Sequence, residues 1–565
     1  MPALGGLTQR VSVIVMARTG QLAAAEHAAM SLGANVGRSL ASINGFVASL
    51  DKADASALAH SGAVSSVTPD AALHLLGSSY SGYSASQDPY SLYNVESATG
   101  VRSMWQQGYT GSGVGVAVID SGVSPVRGLN GQGQVYQGPD LTEESQSSSL
   151  NRLDTFGHGT FMAGIIAGHD PRADPTDSDT GSSAFLGVAP ESTIVSVKVA
   201  DSHGMTDVSQ VIAAIDWIVQ HAQDNGLNIR VMNLSFGTDS TQAYTLDPLA
   251  YAAETAWRAG IVVVVSAGNH GSGSNGLTDP ATDPYVLAVG SETLNGQTGN
   301  ATLSSYSSSG NGTRNPDVVA PGGHLQGLSD PGSFISDHYG STGNINSRFF
   351  RGSGTSEATA FVSGAAALLV QEHPSYTPDQ IKALLVSTAK PLSGVSATSQ
   401  GAGAIDLNAA SGAVTGSTLQ AVNTPQSYAA STGTGTLASS RGSYTLTLRG
   451  HTLSGETDMM GHTVNTSQLA RAEAAGTAWQ GGTWNGSSWS GSSWSGSSWS
   501  GSSWSGADWS GSSWSSDNWS TGTWSGSSWS GSSWSGSSWS GSSWSGSSWS
   551  NDAWDSGIWN TASWS

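Results

Sequence analysis

Five short, nearly continuous apolar runs set the strongest limit on how this 565-residue chain can fold. They are Gly115 to Asp120, Ile194 to Val199, Val231 to Ser235, Ile261 to Val265 and Val286 to Gly290. A strand that is apolar on both faces must be covered on both, which is the condition of a central strand in a parallel sheet between two helix layers. Helical patterns lie between the runs, the clearest from Val208 to Asp224. There Val208, Val211, Ile212, Ile215, Val219 and Ala222 share one face. Thr206 or Asp207 can cap its start, and Asn225-Gly226 can stop it. The alternation over residues 97–412 predicts an α/β domain with a mostly parallel sheet. Its three tryptophans, Trp105, Trp217 and Trp257, read as packing residues.

Residues 11–70 carry a different rhythm. A strand at Val11 to Ala17 is followed by a helix at Gln21 to Leu32, a strand pair through Val36 to Leu50, a helix at Lys52 to His60 and a strand at Ala63 to Thr68. This β-α-β-β-α-β order predicts a small α+β unit with both helices on one sheet face, of ferredoxin-like type. Residues 76–93, rich in Ser, Tyr and Gly without periodicity, read as an exposed linker open to proteolytic nicking. The reading divides the chain at 1–76, 77–96, 97–412, 413–475 and 476–565.

Composition excludes several function classes. The net charge of −21 comes from 40 acidic against 19 basic residues, which argues against nucleic acid as a partner, because phosphate recognition needs clustered Lys and Arg. The absence of cysteine removes disulfides, thiolate nucleophiles and thiolate metal sites together. With no apolar run near 18 residues, no membrane span is expected. Met1 to Ala17 lacks the basic start and long apolar core of a signal peptide, so export would need another route or an upstream start.

Four polar residues stand where strands or helices begin or end. Asp120 closes Val114 to Ile119, at the carboxyl edge of the expected sheet, where open α/β folds bind ligands. As a single residue, an Asp there can equally be a turn former. His158, between Gly157 and Gly159, opens a small-residue helix and can exchange a proton near neutral pH, or serve structure alone. Asn269 closes Val264 to Gly268 and offers either a turn or an amide N–H for an oxyanion. Ser356, in Gly352-Ser353-Gly354-Thr355-Ser356, presents a hydroxyl at a helix start, where N–H groups favour negative charge.

Taken together the blocks become specific. Val116-Ala117-Val118-Ile119-Asp120-Ser121-Gly122, Gly157-His158-Gly159-Thr160 and Gly354-Thr355-Ser356 resemble the three active-site blocks of the subtilisin-like serine proteases. Gly187-Val188-Ala189-Pro190, Asn233-Leu234-Ser235-Phe236-Gly237, Ala267-Gly268-Asn269 and Val319-Ala320-Pro321-Gly322 extend the resemblance over residues 97–412. Ile43 to Leu50 and Val64 to Asp70 are similar to that family's propeptide. The resemblance implies a three-layer subtilisin-like fold behind an inhibitory and chaperoning propeptide, hence a secreted or cell-surface zymogen acting on protein or peptide substrates, with the propeptide as intramolecular inhibitor. It further implies a triad of Ser356 as nucleophile, His158 as base and Asp120 as orienting acid, with an oxyanion hole from Asn269 and the Ser356 N–H. Ser235, Phe236, Gly237, Ser266 and Gly268 would bind substrate, the first three as an added strand. No cofactor is needed for that chemistry.

Two residues depart from the family pattern. Glu357 replaces the usual Met after the nucleophile, where a partly buried carboxylate could raise the His158 pKa or reject acidic substrates. Ala360 replaces a Pro, which predicts a straighter helix. Members often bind structural calcium in surface loops. Asp174, Asp177 and Asp179 stand in one such insert, although an ordinary acidic loop explains them and no metal site is assigned.

Residues 413–475 read as a linker or small β appendage, with one strand-like piece at Ser443 to Leu448. From Trp479 to Trp564 a tryptophan recurs every five residues in units such as Gly-Ser-Ser-Trp-Ser, an internal repeat within a low-complexity tail. Either a flexible chain or a repetitive β structure fits it. Exposed aromatic faces suit cell-wall, carbohydrate or interfacial contact. No Lys or Arg follows Arg471, so a single-stranded nucleic acid partner is not expected. The alternative function is a catalytically silent scaffold that binds surfaces or carbohydrate through these repeats.

Overall fold

The computed structural model describes residues 10–69 and 83–488, apart from residues 148, 172, 178–181, 413, 444–446, 449–450 and 481. The chain divides into two compact units, Met1–Ser79 and Tyr80–Ser565.

The first unit runs β1 (Arg10–Ala17), α1 (Leu22–Ser31), β2 (Asn35–Leu40), β3 (Gly45–Asp51), α2 (Lys52–Ala59) and β4 (Val64–Pro69), matching the sequence rhythm element by element. Its sheet has the order β2-β3-β1-β4 and is antiparallel throughout. Alternation places Val13, Val15 and Ala17 of β1 and Phe46, Ala48 and Leu50 of β3 in one core with Ala25 and Ala29 of α1 and Leu58 of α2. The small alanines let the helices lie close on the sheet.

The second unit opens with α3 (Leu92–Thr99) and α4 (Val101–Gln106). The sheet and its helices follow as β5 (Gly115–Asp120), β6 (Val135–Asp140), α5 (His158–Ala167), β7 (Thr193–Lys198), α6 (Val208–His221), β8 (Ile229–Leu234), α7 (Pro248–Arg258), β9 (Val262–Ser266), β10 (Leu287–Asn295), β11 (Asn300–Leu303) and β12 (Val318–Pro321). Then come β13 (Leu325–Leu328), α8 (Phe334–Gly343), β14 (Phe349–Gly352), α9 (Thr355–Glu372), α10 (Pro378–Thr388) and the short α11 (Ala397–Gln400) and α12 (Leu407–Ala410). The sheet order is β11-β10-β9-β8-β5-β7-β6, with β12 also on β10. Every pairing is parallel except β10 with β11. The five predicted strands are β5, β7, β8, β9 and β10, within three residues at their starts and with β10 running five residues further.

Winding places β6 and β7 on one side of β5 and β8 to β10 on the other, so direction reverses at β5. Crevices at the carboxyl ends of strands open at such a reversal. Two helix layers cover the sheet. In one, α5 packs on α9; in the other, α6 packs on α7. All ten residues of α5 are buried, as are the first sixteen of α9, so these helices are covered on every face, and apart from His158 and Glu357 carry no titratable side chain there. Without a proline at position 360, α9 runs unbroken through eighteen residues. Asp207 caps α6 in a capping box with Gln210. Trp105 and Trp257 are buried, donating to Val188 O at 2.9 Å and Asp379 Oδ1 at 2.7 Å. Trp217 is half-buried and stacks on His221.

The stretch read as a linker or small β appendage is packed on this unit and is largely helical. It forms α13 (Gly416–Val422), α14 (Leu437–Arg441), β15 (Thr447–Leu448), β16 (His451–Thr452) and α15 (Thr466–Ala474). Of the strand-like piece at 443–448, residues 444–446 lie outside the described residues and Thr447–Leu448 form β15. Polar anchors hold the segment. Buried Arg441 donates to Asp207 Oδ1 at 2.6 Å and to the carbonyls of Gly455 and Thr457 at 2.6 Å each. The Trp repeat then begins inside the unit, as β17 (Trp479–Gln480), β18 (Thr483–Trp484) and β19 (Ser487–Ser488) in one antiparallel sheet. Asn485 and Gly486, with φ of 48° and 79°, make the two-residue turn that suits hairpin twist. Trp479 Nε1 donates to Ala213 O and Trp484 Nε1 to Asp216 Oδ2, both at 2.7 Å, so both rings are seated on α6. Losing a buried ring of this kind costs about 3–5 kcal/mol. The expectations for the repeats from residue 489 onward, flexible chain or repetitive β, lie outside the described residues. No helix among the described residues is long and apolar enough to cross a membrane.

Candidate active site

Asp120, Ser235 and Asn269 sit at or just beyond the carboxyl ends of three adjacent strands, β5, β8 and β9. Asp120 is 1% exposed, and both of its carboxylate oxygens lie 2.9 Å from His158 Nδ1. That contact assigns the Nδ1 proton to the hydrogen bond with Asp120 and leaves the lone pair on Nε2, the arrangement of a general base. Glycines make the approach possible. A Cβ at Gly159 would come within 2.1 Å of Gly122 O and 3.1 Å of the Asp120 side chain. Gly157 enters α5 with φ of 105°, in the left-handed region.

A residue the sequence reading passed over fixes this loop. Asp154 Oδ1 accepts from Ser121 Oγ at 2.8 Å and Gly157 N at 2.6 Å, and Oδ2 accepts from Thr160 N at 2.7 Å. It therefore satisfies N–H groups at the start of α5 while holding Ser121, whose hydroxyl and N–H also donate to Asp120 Oδ1. The signal was an Asp four residues ahead of a histidine at a helix start. Burial alone would lower the His158 pKa, but the Asp120 charge and hydrogen bond, then the charges of Glu357 and Asp154, leave it raised.

Ser356 is the second residue of α9 and 5% exposed. Its Oγ donates to Ser235 O at 3.0 Å, and Ser235 Oγ donates back to Ser356 O at 3.2 Å. Asn233, buried in β8, links these groups to the helix: its Nδ2 donates to Ser235 Oγ at 2.8 Å, and Ser363 Oγ donates to its Oδ1 at 3.0 Å. Asn269 Oδ1 accepts from Thr355 N and Oγ1, both at 2.9 Å. The amide is thus pinned by its oxygen, which leaves its NH₂ as the free end beside the start of α9.

The expected substrate-binding residues form two facing segments. Phe236 O accepts from Ser266 Oγ at 3.2 Å. The Thr278 side chain lies against both segments, since a Cβ at Gly237 would meet its Oγ1 at 2.5 Å and one at Gly268 its Cγ2 at 2.7 Å. The arrangement as a whole can transfer an acyl group: a base beside an acid, a hydroxyl at a helix start and an amide donor. In the acidic insert, Asp174 Oδ1 accepts from Thr176 N and Oγ1, while Asp179 lies outside the described residues. Among the described residues, no three His, Asp or Glu side chains gather to hold a metal ion.

A model of the subtilase family matches residues 111–404, more than half the chain. The chain is a member of the subtilase family. Among curated relatives, it is 34% identical over 287 residues to serine protease AprX of Bacillus subtilis (strain 168), covering 49% of this chain and 62% of that protein. It is 35% identical over 306 residues to subtilisin E of the same organism, covering 53% and 66%, and to the same extent to subtilisin of Bacillus pumilus, covering 53% and 91%. The subtilase thus spans just under two thirds of AprX and of subtilisin E. A solved structure titled as a cold adapted subtilisin-like serine proteinase aligns at 30% identity and a TM-score of 0.39, covering 53% of this chain and 88% of the other.

Proposed function

We propose that this subtilase is a serine endopeptidase, made as a zymogen and acting outside the cell or at its surface. The observation that carries the reading is the buried Asp120–His158 pair at 2.9 Å in the same unit as a serine at the start of α9 and an amide pinned beside it. Ser356 Oγ turns from Ser235 O to His158 Nε2 and attacks the scissile carbonyl. The proton passes to His158 and then to the leaving amine, while Asp120 keeps the tautomer and stabilises the imidazolium. The Asn269 NH₂ and the Ser356 N–H, which has no helical partner at this position, receive the oxyanion. Substrate backbone pairs along Ser235, Phe236 and Gly237. The first unit serves as the propeptide, released by a cut near residues 70–95.

The test compares wild type with Ser356→Ala for casein hydrolysis, fluorophosphonate labelling and N-terminal processing. Wild type is expected to show all three and the variant none, with kcat lower by about a millionfold, a magnitude that belongs to subtilisin rather than to this chain. Absence of hydrolysis and labelling in a folded wild type would sink the reading in favour of a surface-binding scaffold.

A further inference from the structure

Glu357 follows the nucleophile in sequence and lies wholly inside the protein, at 0% exposure. Among the described residues, neither carboxylate oxygen meets a hydrogen-bond donor from another residue. The side chain fills a space closed by β14 and α5: a Cβ at Gly352 would fall 2.3 Å from Glu357 Oε1 and 2.9 Å from Cε1 of Phe161. Phe161 lies one turn along α5 from His158, so the carboxylate is lodged between the helix that carries the base and the helix that carries the nucleophile.

An unpaired carboxylate in such a place costs several kcal/mol, and an apolar side chain of the same size would avoid that. Two features make the position tolerable. Glu357 is in the first turn of α9, where the helix N-terminus favours an anion. The charged groups that act on it are His158 from α5 and Asp120 from β5, and it in turn acts on the half-buried Tyr306. Of these, His158 alone can become a cation.

We propose that Glu357 is a positioning residue for acyl transfer, a second buried carboxylate that joins Asp120 in holding the imidazolium formed as Ser356 attacks. This rests on the peptidase reading. In that step the Ser356 O–H bond breaks and its proton goes to His158 Nε2. The freed oxygen pair bonds to the carbonyl carbon, and the carbonyl π pair moves onto its oxygen. With Glu357 ionised, the new cation has two counter-charges in a dry region, where each is worth more than in water. Burial pushes the Glu357 carboxyl up to about 7, so it changes charge near neutral pH. Being buried, Glu357 does not meet substrate and does not screen acidic side chains.

The experiment follows kcat/KM for a peptide from pH 5 to 10 in wild type, Glu357→Gln and Glu357→Met. A second arm follows the His158 imidazole by NMR titration in Ser356→Ala with and without Glu357→Gln or Glu357→Met. Removing the charge is expected to move the acid limb and the imidazole midpoint down by roughly 0.5–1 pH unit. The alkaline plateau should fall roughly two- to fivefold as the base weakens. Should the glutamine variant not fold, methionine fills the same volume and gives both readouts. Lower activity with an unmoved midpoint in both arms overturns the proposal, since that is what a merely structural role gives. A wild type that hydrolyses nothing sinks the peptidase reading instead, and the NMR arm then decides Glu357 alone.

Discussion

The two sides of His158 handle buried negative charge in opposite ways. Toward β5, the carboxylates of Asp120 and Asp154 are bound by N–H and O–H groups of Ser121, Gly157 and Thr160 as well as by the imidazole. Toward α9, Glu357 is equally buried and takes no hydrogen bond from another residue. The pinned side is a frame: its bonds fix where the imidazole points, and moving it means breaking several of them. The bare side acts on the imidazole through charge rather than through hydrogen bonds, so its charge can change with pH while the frame stays put.

Cutting the pins should cost most. Asn269→Ala removes the pinned amide donor and is expected to lower kcat about 10²–10³-fold with little change in KM, the range found for the equivalent donor of subtilisin. An equal loss in KM would mean that Asn269 binds substrate rather than the oxyanion. Asp154→Ala strands the N–H groups of Gly157 and Thr160 and leaves the Ser121 hydroxyl with Asp120 alone as acceptor, and is expected to lower stability by about 3 kcal/mol and kcat roughly 10–10²-fold. An Asp154→Ala enzyme with full activity would show that the frame does not depend on its pins.

The bare side should respond differently, in stability and with a pH signature. The Glu357 carboxyl rises on folding from an ordinary 4.5 to about 7. The folded state therefore binds the extra proton between those values, and stability is lost as pH rises through that window. The loss amounts to roughly 3 kcal/mol above pH 7. Glu357→Gln, measured by urea unfolding in the Ser356→Ala background, should exceed the parent by about 1–3 kcal/mol at pH 8 and match or fall below it at pH 4.5. A difference that does not depend on pH would erase the contrast between the sides. The smallest effect concerns the substrate walls, where Thr278 occupies the space between Gly237 and Gly268. Peptides with Ala before the scissile bond should be cleaved several-fold better than those with Phe, a difference of about 1 kcal/mol, the low end of what a misfit group costs a pocket. The reverse order of kcat/KM would place that side chain elsewhere.

The sheet was legible because β5, β7, β8 and β9 are covered on both faces and therefore read as apolar runs. The four-strand unit was legible because its alternation is clean. Asp120, His158, Asn269 and Ser356 were singled out through the blocks around them. Asp154 was not, since an acid ahead of a helix is an ordinary cap until its second partner, Ser121, is seen across thirty-three residues. The packing of residues 413–475 was hidden for another reason. A Ser, Thr, Gly and Ala composition reads as a linker, and what holds the segment is a few long-range polar bonds such as Arg441 to Asp207. The full burial of Glu357 runs against its residue type, so no pattern could announce it.

The seating of Trp479 and Trp484 on α6 divides the repeat array by role. Both belong to the same five-residue series as those that follow, yet each ring is tied to a particular atom of α6. The first two units of the series are therefore held to their tryptophans by the helix on which they are seated.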